Sequence, residues 1–175
     1  VLIIDDGSTD GTLEVANRYV KRGVVVYSKE NGGKATAVNF GIDRAKGDFV
    51  ACIDADSTIH KDSLRNVMRN FTDEKIGAVI STIKIRQPKS IWQKIQHYEY
   101  VLTSFIRKLM SDIDTLYVSP GVLSVYRTDV VKELGGFDEK DNLTEDLEIA
   151  LRLRYNHYRV LIEPESMTYT EGPRT

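Results

Sequence analysis

The sequence predicts an α/β fold, a mostly parallel mixed sheet with helices on both faces. Two observations predict it. Short apolar runs of strand length alternate with segments whose apolar residues recur every three or four positions, along the whole chain. Several of those runs end in acids and glycines, the composition of turns that lead from a strand into a helix. The size agrees: 175 residues, 41% hydrophobic and 29% charged, suit one globular domain over residues 1–175.

The elements follow in order. VLII (1–4) reads as a strand, and DGTLEVANRYV as a helix with Leu13, Ala16 and Val20 on one face and Asp10 as an N-cap. VVVY (24–27) is the next strand. GGKATAVNFGIDRA is a loop entering a helix, with Ala37, Val38 and Ile42 inward. DFVACIDAD is the third strand, and KDSLRNVMRNF a helix with Leu64, Val67, Met68 and Phe71 at i, i+3, i+4, i+7. GAVISTIKI (77–85) is a strand. Residues 90–110 predict a long amphipathic helix carrying Ile91, Ile95, Tyr98, Leu102, Phe105 and Leu109. Its Trp92, Tyr98, Tyr100 and Phe105 are read as core, or else as facing an acceptor channel or a membrane-side element. VLSVYR (122–127) is a strand, and DVVKEL a short helix stopped by GG. TEDLEIALRLRY (144–155) is a helix capped by Asn142 or Thr144, with Leu147, Ala150, Leu151 and Leu153 or Arg154 inward. YRVLIEPE closes as a strand.

Composition excludes several functions. A net charge of −2 offers no basic field for nucleic acid. No run approaches the ~18 apolar residues of a membrane span, so the piece itself is expected to be soluble. Cys52, the single cysteine, can form no internal disulfide and is read as a buried, inert thiol. His60, His97 and His157 lack metal-ligand spacing, Ser8 has no histidine partner at recognisable spacing, and neither G-x-G-x-x-G nor a P-loop occurs.

What stands out is acid at strand ends, where α/β sheets hold their ligands. Asp5 and Asp6 follow the first strand. Asp54 and Asp56 end the third, and residues i and i+2 of a strand point to one face, about 6.6 Å apart. Two such carboxylates disfavour each other's ionisation unless a cation compensates, and Mg²⁺ is commonly held by one or two carboxylates with water and phosphate oxygens. Glu145 and Asp146 open the last helix. Each set alone also reads as ordinary turn and cap chemistry.

Taken together and in order, VLIIDDGSTDGT, ENGGKATAVNFGI, GDFVACIDADS and GGFDEKDNLTEDLEIALRLR resemble the family 2 inverting glycosyltransferases of GT-A fold, from residue 1 to about 173. N-G-G-K-A-x-A-x-N and T-E-D lean towards synthases of β-linked polysaccharides such as poly-N-acetylglucosamine, hyaluronan, chitin and cellulose. The resemblance implies a UDP-sugar donor, a saccharide acceptor and Mg²⁺ or Mn²⁺. By position it gives Asp6 to uracil recognition, Asp54 to the nucleotide sugar near the ribose, Asp56 to the metal and Asp146 to the general base. Lys34 matches a basic residue near the nucleotide; Ser119, Gly121 and Glu145 match the acceptor and donor-sugar wall. The family's first strand, often ending P-x-x-N-E, and its later Q-x-x-R-W motif are not in the sequence. The chain is therefore expected to be a catalytic piece of a membrane-embedded parent, working at the cytoplasmic face. Transfer of one sugar to a lipid or protein, or nucleotide-sugar binding without catalysis, are the alternatives.

Overall fold

The computed structural model describes residues 1–140 and 144–172. The strands are β1 (Leu2–Asp6), β2 (Val25–Lys29), β3 (Phe49–Ile53), β4 (Thr58–Ile59), β5 (Ile76–Ile85), β6 (Leu123–Arg127) and β7 (Arg159–Thr170). The α-helices are α1 (Thr12–Asn17), α2 (Lys34–Arg44), α3 (Ser63–Met68), α4 (Ile91–Asp112), α5 (Thr128–Glu133) and α6 (Glu145–Tyr155), with a 3₁₀ turn at Val20–Arg22. The α/β class and mixed sheet are as the sequence predicts.

The strands form two sheets. β1 and β2 pair in parallel, and a five-stranded sheet runs β3-β6-β5-β7-β4. β6 is antiparallel to both β3 and β5, while β5 and β7 are parallel and β4 is antiparallel to β7. So β3, β5 and β7 run one way, with β6 reversed between them. That reversal matters for function. Ile53, the last residue of β3, pairs with Leu123, the first of β6, so the segment entering β6 lies beside the carboxyl end of β3.

β5 is the centre. Nine of its ten residues are buried, as its unbroken apolar run requires of a strand covered on both faces. Its side chains alternate between two cores. Ala78 and Ile80 join Ile42, Leu116, Tyr126, Ile149, Leu153 and Ile162. Val79 joins Val67, Leu123 and Val125 on the other face. Ile76 belongs with Val79 because the ladder slips between Ile76 and Ala78. Each such fully buried aliphatic side chain stabilises the fold by about 1.5–3 kcal/mol.

Several expectations fail in detail, for identifiable reasons. α1 is shorter than its pattern: the chain tightens into 3₁₀ at Val20, which is exposed. Asp10 accepts from the Thr12 N–H at 2.9 Å but lies outside the helix, whose N-cap is Gly11. In α3, Val67 is buried but Leu64 and Met68, one turn apart on the same side of the helix, are exposed. In α6 the inward residues are Ile149, Ala150 and Leu153, while Leu151 is exposed. Asn142 lies outside the described residues. The largest reversal is α4, where Trp92, Tyr98 and Phe105 face outward and only Tyr100 is half-buried.

Candidate active site

Three elements bring the acids together. Lys34 is the first residue of α2, entered through Gly33, whose φ of 88° suits glycine. Asp54 follows directly on β3. Glu145 and Asp146 begin α6. The Lys34 Nζ stands 3.2 Å from Asp54, 3.1 Å from Glu145 and 3.4 Å from Asp146. One ammonium thus holds three carboxylates drawn from two distant parts of the chain.

The electrostatics follow. Burial works against the Lys34 ammonium, yet Asp146 and Asp54 hold its pKa well above the ordinary lysine range. Asp146 is shifted the other way from a typical ion-paired acid. Burial raises its carboxyl pKa, Lys34 pulls it down, Glu145 pushes it up, and the net direction is upward. Cys52 lies close enough to feel Asp146, Lys34 and Asp54; its half-buried thiol is pushed up to about 12, chiefly by burial. It is therefore an inert thiol, as expected.

Gly121 closes the group. A Cβ there would come 2.5 Å from both Asp146 Oδ2 and Lys34 Nζ. The segment carrying it is fixed from beneath: the Ser119 hydroxyl, fully buried, hydrogen-bonds Tyr126 OH at 2.6 Å and donates to Ser124 Oγ at 2.9 Å, and Ser124 donates to the Pro120 carbonyl at 2.6 Å. Ser119 supports the site from within the core rather than facing it.

A second polar centre forms at the end of β1. The strand runs through Asp5 and Asp6 instead of stopping before them, and the parallel register sets Asp6 opposite Lys29. The Asp6 carboxylate accepts from Lys29 Nζ at 2.6 Å and from the backbone N–H of Gly32 at 3.1 Å and Gly33 at 2.7 Å. Burial opposes its ionisation, but those donors win and hold its pKa below the usual carboxylate value. Asp6 therefore ties down the 30–33 loop that launches Lys34. Gly7 (φ 74°) permits the crossing, since a Cβ there would sit 2.7 Å from the Asn31 nitrogen.

Asp56 is placed differently from expectation. β3 ends at Ile53, and a turn with Ser57 N–H donating to the Asp54 carbonyl at 3.1 Å takes Asp56 off the strand period. Asp54 meets Lys34; Asp56 is exposed and accepts from the Ser57 hydroxyl. Among the described residues no three His, Cys, Asp or Glu side chains form a metal-ligating group. Asp54, Glu145 and Asp146 gather round the Lys34 ammonium instead, while Asp56 offers an exposed carboxylate, the hard oxygen donor that Mg²⁺ takes. Sequence reasoning missed Lys29, whose role depends on register, and Asn39. The Asn39 amide accepts from Phe137 N–H at 2.7 Å and donates to the Phe137 carbonyl at 2.8 Å, fastening α2 to the turn after α5. Its place within the N-G-G-K-A-x-A-x-N run was the available signal.

The family model described as Glycosyl transferase family 2 matches residues 1–135. A poly-beta-1,6-N-acetyl-D-glucosamine synthase of Staphylococcus aureus (strain COL) is 34% identical over 179 residues, covering 100% of this chain. The chain spans 43% of that relative's length. A mannosyltransferase, PcManGT from Pyrobaculum calidifontis in complex with GDP-Man and Mn2+, superposes with a TM-score of 0.81 at 24% identity, over 99% of this chain and 48% of that one. S. aureus TarS 1–349 in complex with UDP-GlcNAc superposes with a TM-score of 0.72 at 22% identity, over 100% and 50%.

Proposed function

The chain belongs to glycosyl transferase family 2, with the GT-A fold, and from that premise we propose that it is the catalytic part of a metal-dependent inverting glycosyltransferase. It transfers a sugar from a UDP-sugar to a growing β-linked polysaccharide. UDP-N-acetylglucosamine is the donor we favour, in line with the name of the S. aureus relative. The observation that carries the reading is the Lys34, Asp54, Glu145 and Asp146 cluster.

In this reading Asp146 is the general base. A carboxylate whose pKa is raised by burial is a stronger base than a free one, and it takes the acceptor hydroxyl proton as the oxygen attacks the anomeric carbon. Lys34 keeps Asp146 ionised and supplies positive charge beside the donor. Asp6 holds the loop that carries Lys34 and lines the base-binding end. Gly121 and Glu145 shape the sugar wall, with Ser119 behind it. Asp54 would meet the nucleotide sugar near the ribose, and Asp56 would hold Mg²⁺ or Mn²⁺, which when bound would neutralise charge on the departing diphosphate. A single displacement inverts the donor's α-linkage to β. The parent is membrane-embedded, with this part on the cytoplasmic face.

The test uses the full-length protein with UDP-N-acetylglucosamine and Mg²⁺ or Mn²⁺. Asp146→Asn is expected to abolish transfer while UDP binding persists. Transfer at the wild-type rate in that variant would falsify the assignment, and binding of UDP by wild type with no transfer to any acceptor would favour a binding module.

A further inference from the structure

α4 is amphipathic the wrong way round for a helix of a lone domain. Ile91, Ile95, Tyr98, Leu102, Phe105 and Leu109 form its outward stripe, each at least half exposed, Tyr98 to 72%. Trp92 and Val101 widen the stripe, so at 100° per residue its apolar members span about 180° of the helix, with the exposed Lys94 and Glu99 inside the same arc. The inward side is mixed. Gln93, Gln96, His97, Tyr100, Thr103 and Ser104 are half-buried, Met110 packs against the core and Ser111 is buried, with Gln96 Oε1 and His97 Nδ1 sealed off without a hydrogen-bond partner. The eight residues of this outward face stand between 45% and 72% exposed and adjoin one another along the helix, unlike the scattered single apolar residues of an ordinary surface.

We propose that α4 is a bilayer-docking helix, lying in the plane of an anionic lipid surface with this face buried among headgroups and upper acyl chains. Its width argues for a flat partner: a single facing helix covers a narrow seam, whereas a lipid surface meets half a cylinder. The charge agrees. Residues 86–112 carry five basic residues (Arg86, Lys89, Lys94, Arg107, Lys108) against Glu99 and Asp112, in a chain whose net charge is −2. Asp112 is paired with Lys108. Arg86, Lys89 and Lys94 are exposed round the N-terminal end, placed for anionic headgroups. Trp92 and Tyr98 are the residue types that favour such a boundary. Among the described residues no helix is long and apolar enough to cross a membrane, so α4 lies on the surface rather than spanning it. The inference does not depend on the catalytic reading.

Trp92 is the only tryptophan and sits on the face in question, so it reports directly. The 175-residue chain is titrated with phosphatidylcholine vesicles, with and without phosphatidylglycerol. We expect a blue shift of Trp92 emission and co-sedimentation with the anionic vesicles. Leu102→Asp with Phe105→Asp should abolish both at unchanged circular dichroism; the pair Leu102→Ser with Phe105→Ser serves if the aspartates prevent folding. Lys89→Glu with Lys94→Glu should weaken partitioning by at least about thirtyfold, and Val15→Asp, on the exposed side of α1, should not alter it. Absence of any lipid response overturns the proposal. So does a blue shift that follows protein concentration without lipid, which would assign the face to a second copy.

Discussion

At the scale of single residues, the site is a contest over one proton. Asp146 is pushed up by burial and Glu145 and pulled down by Lys34. A base works only when ionised, so transfer should fall as pH drops through a value above the ordinary carboxylate 3.8. Lys34→Met removes the lowering partner and should move that acid limb to higher pH. Glu145→Gln removes a raising one and should move it lower. Profiles of kcat/KM for the full-length protein give the answer; shifts of the same sign in both variants would sink the account. Gly121 offers a second test. Its φ lies outside the left-handed region, so the backbone tolerates alanine, but the new methyl would displace the ends of Asp146 and Lys34. Gly121→Ala should leave the melting temperature within a degree or two while transfer falls by up to about 100-fold, the cost of a misplaced base. The acids themselves were legible in the sequence, and Lys34 was reached through the family resemblance. Lys29 was not: it looks like a surface lysine until strand register places it beside Asp6.

At the scale of elements, periodicity located the helices and strands but not always the side that faces inward. β5 was legible because a strand buried on both faces needs only an apolar run. α4 was not, because the pattern shows an apolar face without saying what covers it. β4, two residues long, is invisible to any periodicity argument and exists because Thr58 and Ile59 find an edge of β7. The turn at 54–57 broke the i, i+2 logic for Asp56 by leaving the strand three residues early. How elements are joined is testable at Asn39. Its amide satisfies both backbone groups of Phe137, a residue 3% exposed. Asn39→Ala would leave a buried N–H unpaired and should cost about 1–3 kcal/mol in urea unfolding. It should also slow transfer in the full-length protein, because the turn it anchors leads towards α6 and Asp146. Wild-type stability in the variant would show the clamp to be idle.

At the scale of the whole molecule, the reversed β6 explains why acids far apart in sequence meet. A strand running against β3 begins where β3 ends, and the segment entering it sets Gly121 against Lys34 and Asp146, at the rim where α6 starts. Alternation of strands and helices predicted a mostly parallel mixed sheet, but no local pattern marks which strand is reversed. The site that results is held together by unequal acids, and their opposite shifts should appear in global stability. The folded-state pKa of Asp6 is depressed, so its ionised form contributes stability above the ordinary carboxylate value, lost as pH falls through the depressed one. That of Asp146 is raised, so its contribution belongs to the protonated form, present at low pH and lost as pH rises through the raised value. At neutral pH, therefore, Asp6→Asn should lower the melting temperature of the 175-residue chain. Asp146→Asn should raise it, since Lys34 keeps Asp54 and Glu145 as partners while a carboxylate ionised against its surroundings is removed. Both differences should shrink as pH is lowered towards acid. A melting temperature for Asp146→Asn well below wild type at neutral pH would mean that the Lys34 pairing outweighs burial, and that Asp146 is a structural anchor before it is a base.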